Sequence, residues 1–307
     1  MTWWAVSALA RQVVLRPRLA TRIMRLPSVL PARLRAPLYK AVSWPLAIKF
    51  GAETEVAVAG GNRMLVRTDD MIGRVLALSG TWEPNVTATL PSVLSPGDVF
   101  VDIGAHIGYY SVLAASLVGP TGHVYAFEPS PSNYDLLRRN IQLNGLRNVT
   151  ALELAIGASE GRGTLYEGPR QNSGLATLNP VYGAKRQGAT RELAVDIRPV
   201  AAVVPREHLV RVRALKIDVE GQELEVLHSL APLLELNRPL TIFLEWTPRR
   251  AEPEAGEALL EFCRSHGFAP HRIRSGYSFE KLFPAHIEEP APITDAPDVQ
   301  ADLLLRR

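Results

Sequence analysis

Four short blocks of this chain set carboxylates and glycines where they could do chemistry. In "VFVDIGAHIGYYSVLAA", Val99 to Ala115, an apolar run passes Asp102, Gly104 and Gly108 into an apolar helical pattern. Glycine at a strand-to-helix turn lets a ligand approach the backbone closely. Glu128 ends "HVYAFEP", Asp218 and Glu220 stand two apart in "ALKIDVEG", and Glu245 closes "LTIFLEW". Asp102 would repel a pyrophosphate, and the second glycine of the dinucleotide fingerprint is replaced by His106.

A ligand carrying an ammonium and a sulfonium would be attracted instead. Two unit charges about 4 Å apart interact by about 4 kcal/mol at intermediate dielectric. S-adenosylmethionine is such a ligand. Glu128, one strand further on, is placed to accept both hydroxyls of its ribose. Ala105 and His106 of the first turn, with Pro129 after Glu128, complete the expected cofactor set around Asp102, Gly104 and Gly108.

Asp218 and Glu220 have two readings. As acids at a strand end facing the methyl group, either could orient or deprotonate an acceptor hydroxyl. Alternation puts Lys216 on their side, so an internal Lys216–Asp218 ion pair with Glu220 capping the next helix is the other reading. His106 could be a base or a hydrogen-bond donor. Glu245 is a third acid on the rim, and Ser173 in "QNSGLATL" a substrate contact. Asp218, Glu220, Glu245 and a histidine could hold a divalent ion, but no spacing demands one, and no metal is expected.

The elements that must position these residues follow from periodicity. Glu53–Thr68 reads as a hairpin turning at Gly60-Gly61-Asn62, with a helix leading into the core by residue 95. After Pro96-Gly97-Asp98, strands "VFVDIGA", "HVYAFEP", "VTALELAIG", "ALKIDVEG" and "LTIFLEW" are separated by helices "IGYYSVLAASLV", "PSNYDLLRRNIQLNG" and "ELEVLHSLAPLLEL". Such alternation means an α/β fold, a mostly parallel sheet with helices on both faces. Residues 161–200 read as an insertion of extra strands and loop facing the substrate.

"VDIGAHIGYYSVLAA", "VYAFEPSPSNYDLLRRNIQLN", and "LKIDVEGQELEVLHSL" followed by "IFLEW" resemble the blocks of FkbM-type S-adenosylmethionine-dependent methyltransferases. "GTWEP", around Glu83, and the closing "ADLLLRR" resemble the family's flanks, which adds Glu83 as a substrate-side residue. The resemblance implies the Rossmann-like class I methyltransferase fold, a seven-stranded sheet with an antiparallel last hairpin. It also implies methyl transfer, usually to a hydroxyl of a sugar, glycan, glycolipid or polyketide-like metabolite. His106 stands where the family often has Asn, and either can donate a hydrogen bond.

Charge divides the chain. Residues 1–50 hold nine Arg or Lys and no acid, whereas residues 51–307 hold 25 bases against 31 acids. Five prolines restrict this arm to short helices. Trp3 and Trp4 beside its arginines suit a membrane surface or an acidic partner, so peripheral contact through residues 1–40 is one reading, and an arm packed on the body with its arginines in water is the other. "MTWWAVSALARQ" has no basic start and its apolar stretch ends at Arg11, so it reads neither as a signal peptide nor as a span. Cytoplasm is the expected compartment. Cys263, the single cysteine, excludes an intrachain disulfide and reads as a buried thiol. A nucleic-acid methyltransferase using the basic arm lacks the Asn/Asp-Pro-Pro-aromatic motif for exocyclic amines. A non-catalytic cofactor-binding module is the alternative of another class, and the oligomeric state is open.

Overall fold

Apolar alternation and turn residues produce the elements where the sequence places them. The computed structural model describes residues 53–185, 191–237, 239–248, 254–276, 284 and 286–307. The basic arm, and the membrane role read for it, lie outside these residues.

The N-terminal hairpin pairs β1 (Glu53–Ala57) with β2 (Arg63–Arg67), and is followed by α1 (Met71–Ser79) and α2 (Pro84–Thr89). Asp70 caps α1, its Oδ1 accepting the amides of Ile72 and Gly73. The core then alternates β3 (Val99–Ile103), α3 (Tyr109–Val118), β4 (His123–Phe127), α4 (Pro131–Leu143) and β5 (Val149–Leu152). The segment read as one strand from Val149 to Gly157 bends after Leu152, and its end, β6 (Ala155–Ile156), joins a second sheet. That sheet, ordered β6-β8-β7, takes β7 (Gly161–Glu167) and β8 (Arg191–Arg198) from the segment 161–200, with α5 (Pro180–Lys185) between them.

Two short helices, α6 (Val200–Val203) and α7 (Arg206–Leu209), lead to β9 (Val212–Ile217). The helix expected over "ELEVLHSLAPLLEL" is two, α8 (Glu223–Ser229) and α9 (Ala231–Leu236), because Pro232 has no N–H to continue the ladder. β10 (Thr241–Trp246), α10 (Ala255–His266), β11 (Ala269–Ile273), β12 (Ala291–Pro292) and β13 (Ala301–Arg306) complete the fold.

The main sheet runs β12-β11-β13-β10-β9-β3-β4-β5. Its central five strands are parallel, and β13 lies antiparallel between β10 and β11. This is the class I arrangement with its antiparallel last hairpin, and the two-residue β12 makes eight strands where seven were expected. One apolar cluster, with Phe100, Ala214, Phe243 and Leu304, packs under α1, α2 and α3. The other, with Val101, Ile103, Leu215, Ile217, Leu244 and Leu303, packs under α8, α9 and α10. Cys263 of α10 is buried in the latter, where burial pushes its thiol up to about 11. No helix among the described residues is long and apolar enough to cross a membrane.

Candidate active site

Strand alternation decides which side chains meet. Asp102 shares the face of Phe100, Lys216 that of Ala214, Glu245 that of Phe243, and Asp302 that of Leu304. All four faces are the one under α3, and the register sets Asp102 beside Lys216 and Glu245 beside Asp302. A charged row thus crosses the carboxyl ends of β3, β9 and β10 and the amino end of the antiparallel β13, with Tyr110 and Glu83 beside it.

Lys216 is the centre of that row. Its Nζ lies 2.7 Å from Asp218 Oδ2 and 5.0 Å from the centroid of the Tyr110 ring. Burial alone would lower its ammonium, but Asp218, Glu83, Glu245 and Asp302 together hold it well above its usual value. Asp218 is correspondingly held low: burial would raise it, but Lys216 and the hydrogen bond with Glu245 together prevail. Glu245 is pushed well up by burial and by Asp218, to which it is hydrogen-bonded, and Gln300 Nε2 donates to its Oε1 at 2.6 Å. The pair therefore shares a proton carried on Glu245. Glu83 is also raised, by burial and Asp302, and accepts the Tyr110 hydroxyl at 2.7 Å. Ligand atoms of Asp218, Glu220 and Glu245 lie within 4.8 Å of one another, as do those of Glu83, Glu245 and Asp302.

Beside this row opens a cavity of about 630 Å³, floored by the ends of β3, β4, β9 and β10 and walled by the insertion and the start of α1. Of the expected residues, Gly104, His106, Glu128, Pro129, Ser173, Asp218, Glu220 and Glu245 line it. Asp102, Ala105, Gly108 and Glu83 do not. Asp102, expected to face a cationic ligand, points under α3, where Ser111 Oγ donates to it at 2.6 Å and burial raises it to about 6. Gly108 serves packing: a Cβ there would come within 2.5 Å of the Leu137 side chain. Glu83 lines a smaller pocket of about 50 Å³ behind Glu245, with Asp302 and Gln300.

Glu128 is set as a hydroxyl acceptor. Its Oε2 takes the His106 amide at 2.8 Å and its Oε1 the Ser130 amide at 2.9 Å, and the Asn133 side chain adds a third bond. Burial nevertheless raises it to about 7, and three bonds leave one of the carboxylate's four acceptor sites open to a ligand. Asn133, which sequence reasoning passed over, is buried, lines the cavity, and has an Oδ1 with no partner. An orphaned acceptor beside Glu128 suits a ligand that brings hydroxyl donors. Phe127, Leu154 and Ile156 form an apolar slot for a flat ring on the same side. Carboxylates, with Lys216 buried beneath them, suit a cation at the other end. These residues fit S-adenosylmethionine.

Ser173, expected to touch substrate, gives its hydroxyl to protein partners: Oγ donates to Asp70 Oδ2 at 2.8 Å and lies 2.7 Å from His106 Nε2. The Lys216–Asp218 ion pair forms, and ahead of α8 Glu223 Oε1 accepts the Gly221 amide. Among described residues other than glycine, only Glu83, His106 and Glu220 have positive φ, and all three were singled out as site residues. Strain of this kind collects at functional sites.

The sheet order, the glycine turn and the carboxylates at the strand ends define a class I S-adenosylmethionine-dependent methyltransferase. Residues 102–270 match the Methyltransferase FkbM domain, and the chain belongs to this family. Methyltransferase sdnD of Sordaria araneosa is 32% identical over 57% of this chain and 74% of its own length. Hexuronic acid methyltransferase AglP of Haloferax volcanii is 26% identical over 62% of this chain and 74% of its own. The solved structure of TYW2 from M. jannaschii in complex with AdoMet is 16% identical, with a TM-score of 0.42 over 83% of this chain and 86% of that one.

Proposed function

We propose that this methyltransferase O-methylates a neutral hydroxyl of a sugar, glycan, glycolipid or polyketide-like metabolite. The observation that carries the reading is the convergence of Asp218, Glu220 and Glu245 within 4.8 Å at the cavity floor. An acceptor reacting through a carboxylate would meet five lining carboxylates, Glu128, Asp218, Glu220, Glu225 and Glu245. Among the described residues the one lining arginine, Arg162, is largely exposed and 3.5 Å from Asp196. A hydroxyl is drawn to the same acids. AglP is named for a sugar acid, and a sugar-derived acceptor is compatible here through its hydroxyls. Leu165, Leu175 and Leu178 of the insertion, with Met71 and Ile72, shelter an apolar body.

When bound, S-adenosylmethionine supplies an activated methyl group. The protein aligns the acceptor and takes its proton. Asp218, held ionised by Lys216, is a weak base and orients the hydroxyl by accepting its hydrogen bond. Glu220 receives the proton as the hydroxyl becomes acidic in the transition state. The apolar wall limits water at the acceptor, and positioning of this kind contributes as much as about 7–11 kcal/mol in intramolecular models.

The test compares extracted glycans, lipids and metabolites with and without the gene by mass spectrometry, seeking a shift of about 14 Da for one methylene-equivalent, followed by assay of Asp218→Asn and Glu220→Gln. Each variant should bind S-adenosylmethionine within a few-fold of the parent, with Glu220→Gln losing about 10²–10⁴ in turnover. Full activity in both would overturn the assignment of the acids, and a product methylated on a carboxylate would overturn the hydroxyl.

A further inference from the structure

Two of the three strained residues, His106 and Glu220, sit on different turns, one after β3 and one after β9. Their φ values, 52° and 53°, lie in the left-handed region that residues with a Cβ seldom enter. Something must hold them there. Glu128 accepts the His106 amide, and one stretch of the insertion bonds to both residues, at the His106 ring and at the Glu220 carbonyl.

We propose that Ser173, Thr177 and Asn179 are positioning residues for methyl transfer, a single strap that fixes the cofactor turn at His106 relative to the acid turn at Glu220. The inference rests on the methyl-transfer reading of the cavity. At one end, Ser173 is anchored twice by Asp70 Oδ2, which accepts its amide and its hydroxyl, each at 2.8 Å. A hydroxyl has one proton, and a carboxylate only accepts, so the Ser173 oxygen must accept from His106 Nε2 at 2.7 Å. The strap thereby sets the His106 ring as its Nε2–H tautomer. At the other end, Thr177 Oγ1 donates to the Glu220 carbonyl at 2.7 Å, and Asn179 Nδ2 to the Gly221 carbonyl at 3.2 Å. The Asn179 amide closes on Thr177 Oγ1 at 3.0 Å, so the two side chains act together. Thr177 and Asn179 are buried, and Tyr182, just beyond them, lies over Gly221, where a Cβ would come within 2.4 Å of its ring. Each turn is thus tied to the strap by direct hydrogen bonds. The same segment, residues 172–178, contributes lining residues to the cavity, so the stretch that walls it also bonds to both turns.

The experiment uses the full chain. Transfer is followed from S-adenosylmethionine tritiated on its methyl group into a solvent extract of cells lacking the gene. Thr177→Val keeps shape and removes the donor, whereas Thr177→Ser keeps the donor. Thr177→Val should bind S-adenosylmethionine within about threefold of the parent and transfer label about ten- to a hundredfold more slowly, the loss typical of slight misplacement. Thr177→Ser should return to within about threefold. Transfer by Thr177→Val at the parental rate, or no recovery in Thr177→Ser, overturns the strap at Glu220. Nitrogen-15 spectra, with the His106 signal identified by its loss in His106→Gln, should show a protonated Nε2 in the parent and a changed tautomer in Ser173→Ala. An unchanged tautomer overturns the strap at His106. A parent that binds no S-adenosylmethionine defeats the methyl-transfer reading, and the spectra then judge the strap by themselves.

Discussion

Lys216 Nζ stands 2.7 Å from Asp218 Oδ2, an ion pair formed between a strand residue and the first residue past the strand's end. Lys216 is only 4% exposed, and Glu83, Glu245 and Asp302 also act on its charge. One cation thus organises four carboxyl groups. It keeps Asp218 ionised at the cavity, while Glu245, bonded to Asp218, keeps its proton.

Lys216→Met should therefore unsettle more than one partner. Removing one member of a buried pair leaves an uncompensated charge and costs about 3–5 kcal/mol. The sign with pH follows from the carboxyls left behind. Without the ammonium Asp218 is no longer held low, and Glu83 and Asp302, already raised by burial, rise further, so the folded state binds more protons and the variant's stability falls more steeply as pH rises. Urea denaturation at pH 5 and pH 8 should show the larger deficit at pH 8. A variant as stable as the parent at both would remove Lys216 from the centre of the row.

Glu128 gives cofactor binding a pH dependence of its own. Burial, opposed by the amides of Ser130 and His106, raises it from 4.5 to about 7. Between those values the folded protein holds a proton that the unfolded chain has lost, so this group's contribution to stability declines as pH rises. Hydroxyl donors prefer the ionised carboxylate, which gives binding the opposite trend. Calorimetry should show S-adenosylmethionine binding several-fold more tightly at pH 8 than at pH 6. Glu128→Gln should flatten that slope and weaken binding by about 1.5–3 kcal/mol, the range for a charged hydrogen bond. A parent whose affinity ignores pH would mean that Glu128 does not titrate at the ligand.

The strands and the acids at their ends were legible because alternation and spacing are local. The Lys216–Asp218 pair could be read the same way, since residues two apart on a strand share a face. Alternation also held the answer for Asp102, which shares the face of Phe100 and so turns under α3, away from the cavity. Asp302 was legible only as part of "ADLLLRR", because its role comes from lying opposite Glu245 across an antiparallel pair. Asp70 carried a readable signal as an acid just before an apolar helix, though not its second bond to Ser173, 103 residues away. Thr177 and Asn179 carried none. Their partners are backbone carbonyls more than 40 residues distant, and no side-chain pattern announces a carbonyl.

Gly104 offers a test of how the two halves of the site are joined. It has φ 83°, and a Cβ there would fall 1.8 Å from the Asp218 carbonyl oxygen and 2.9 Å from its carbon. The backbone after β3 therefore touches the backbone after β9, and only glycine permits it. Gly61, in the N-terminal hairpin, has φ 77° with nothing within 4 Å of a Cβ. Alanine costs about 1–2 kcal/mol at either position for the left-handed backbone. At Gly104 it must also drive Asp218 and the turn behind it outward, so the total should reach about 3–5 kcal/mol. Gly104→Ala that still folds should lose methyl transfer while Gly61→Ala keeps it, because the displaced atom belongs to the residue that orients the acceptor. Thermal melts and transfer rates of the two variants, measured side by side, decide the matter: equal losses would mean that the contact between Gly104 and Asp218 does not hold the site together.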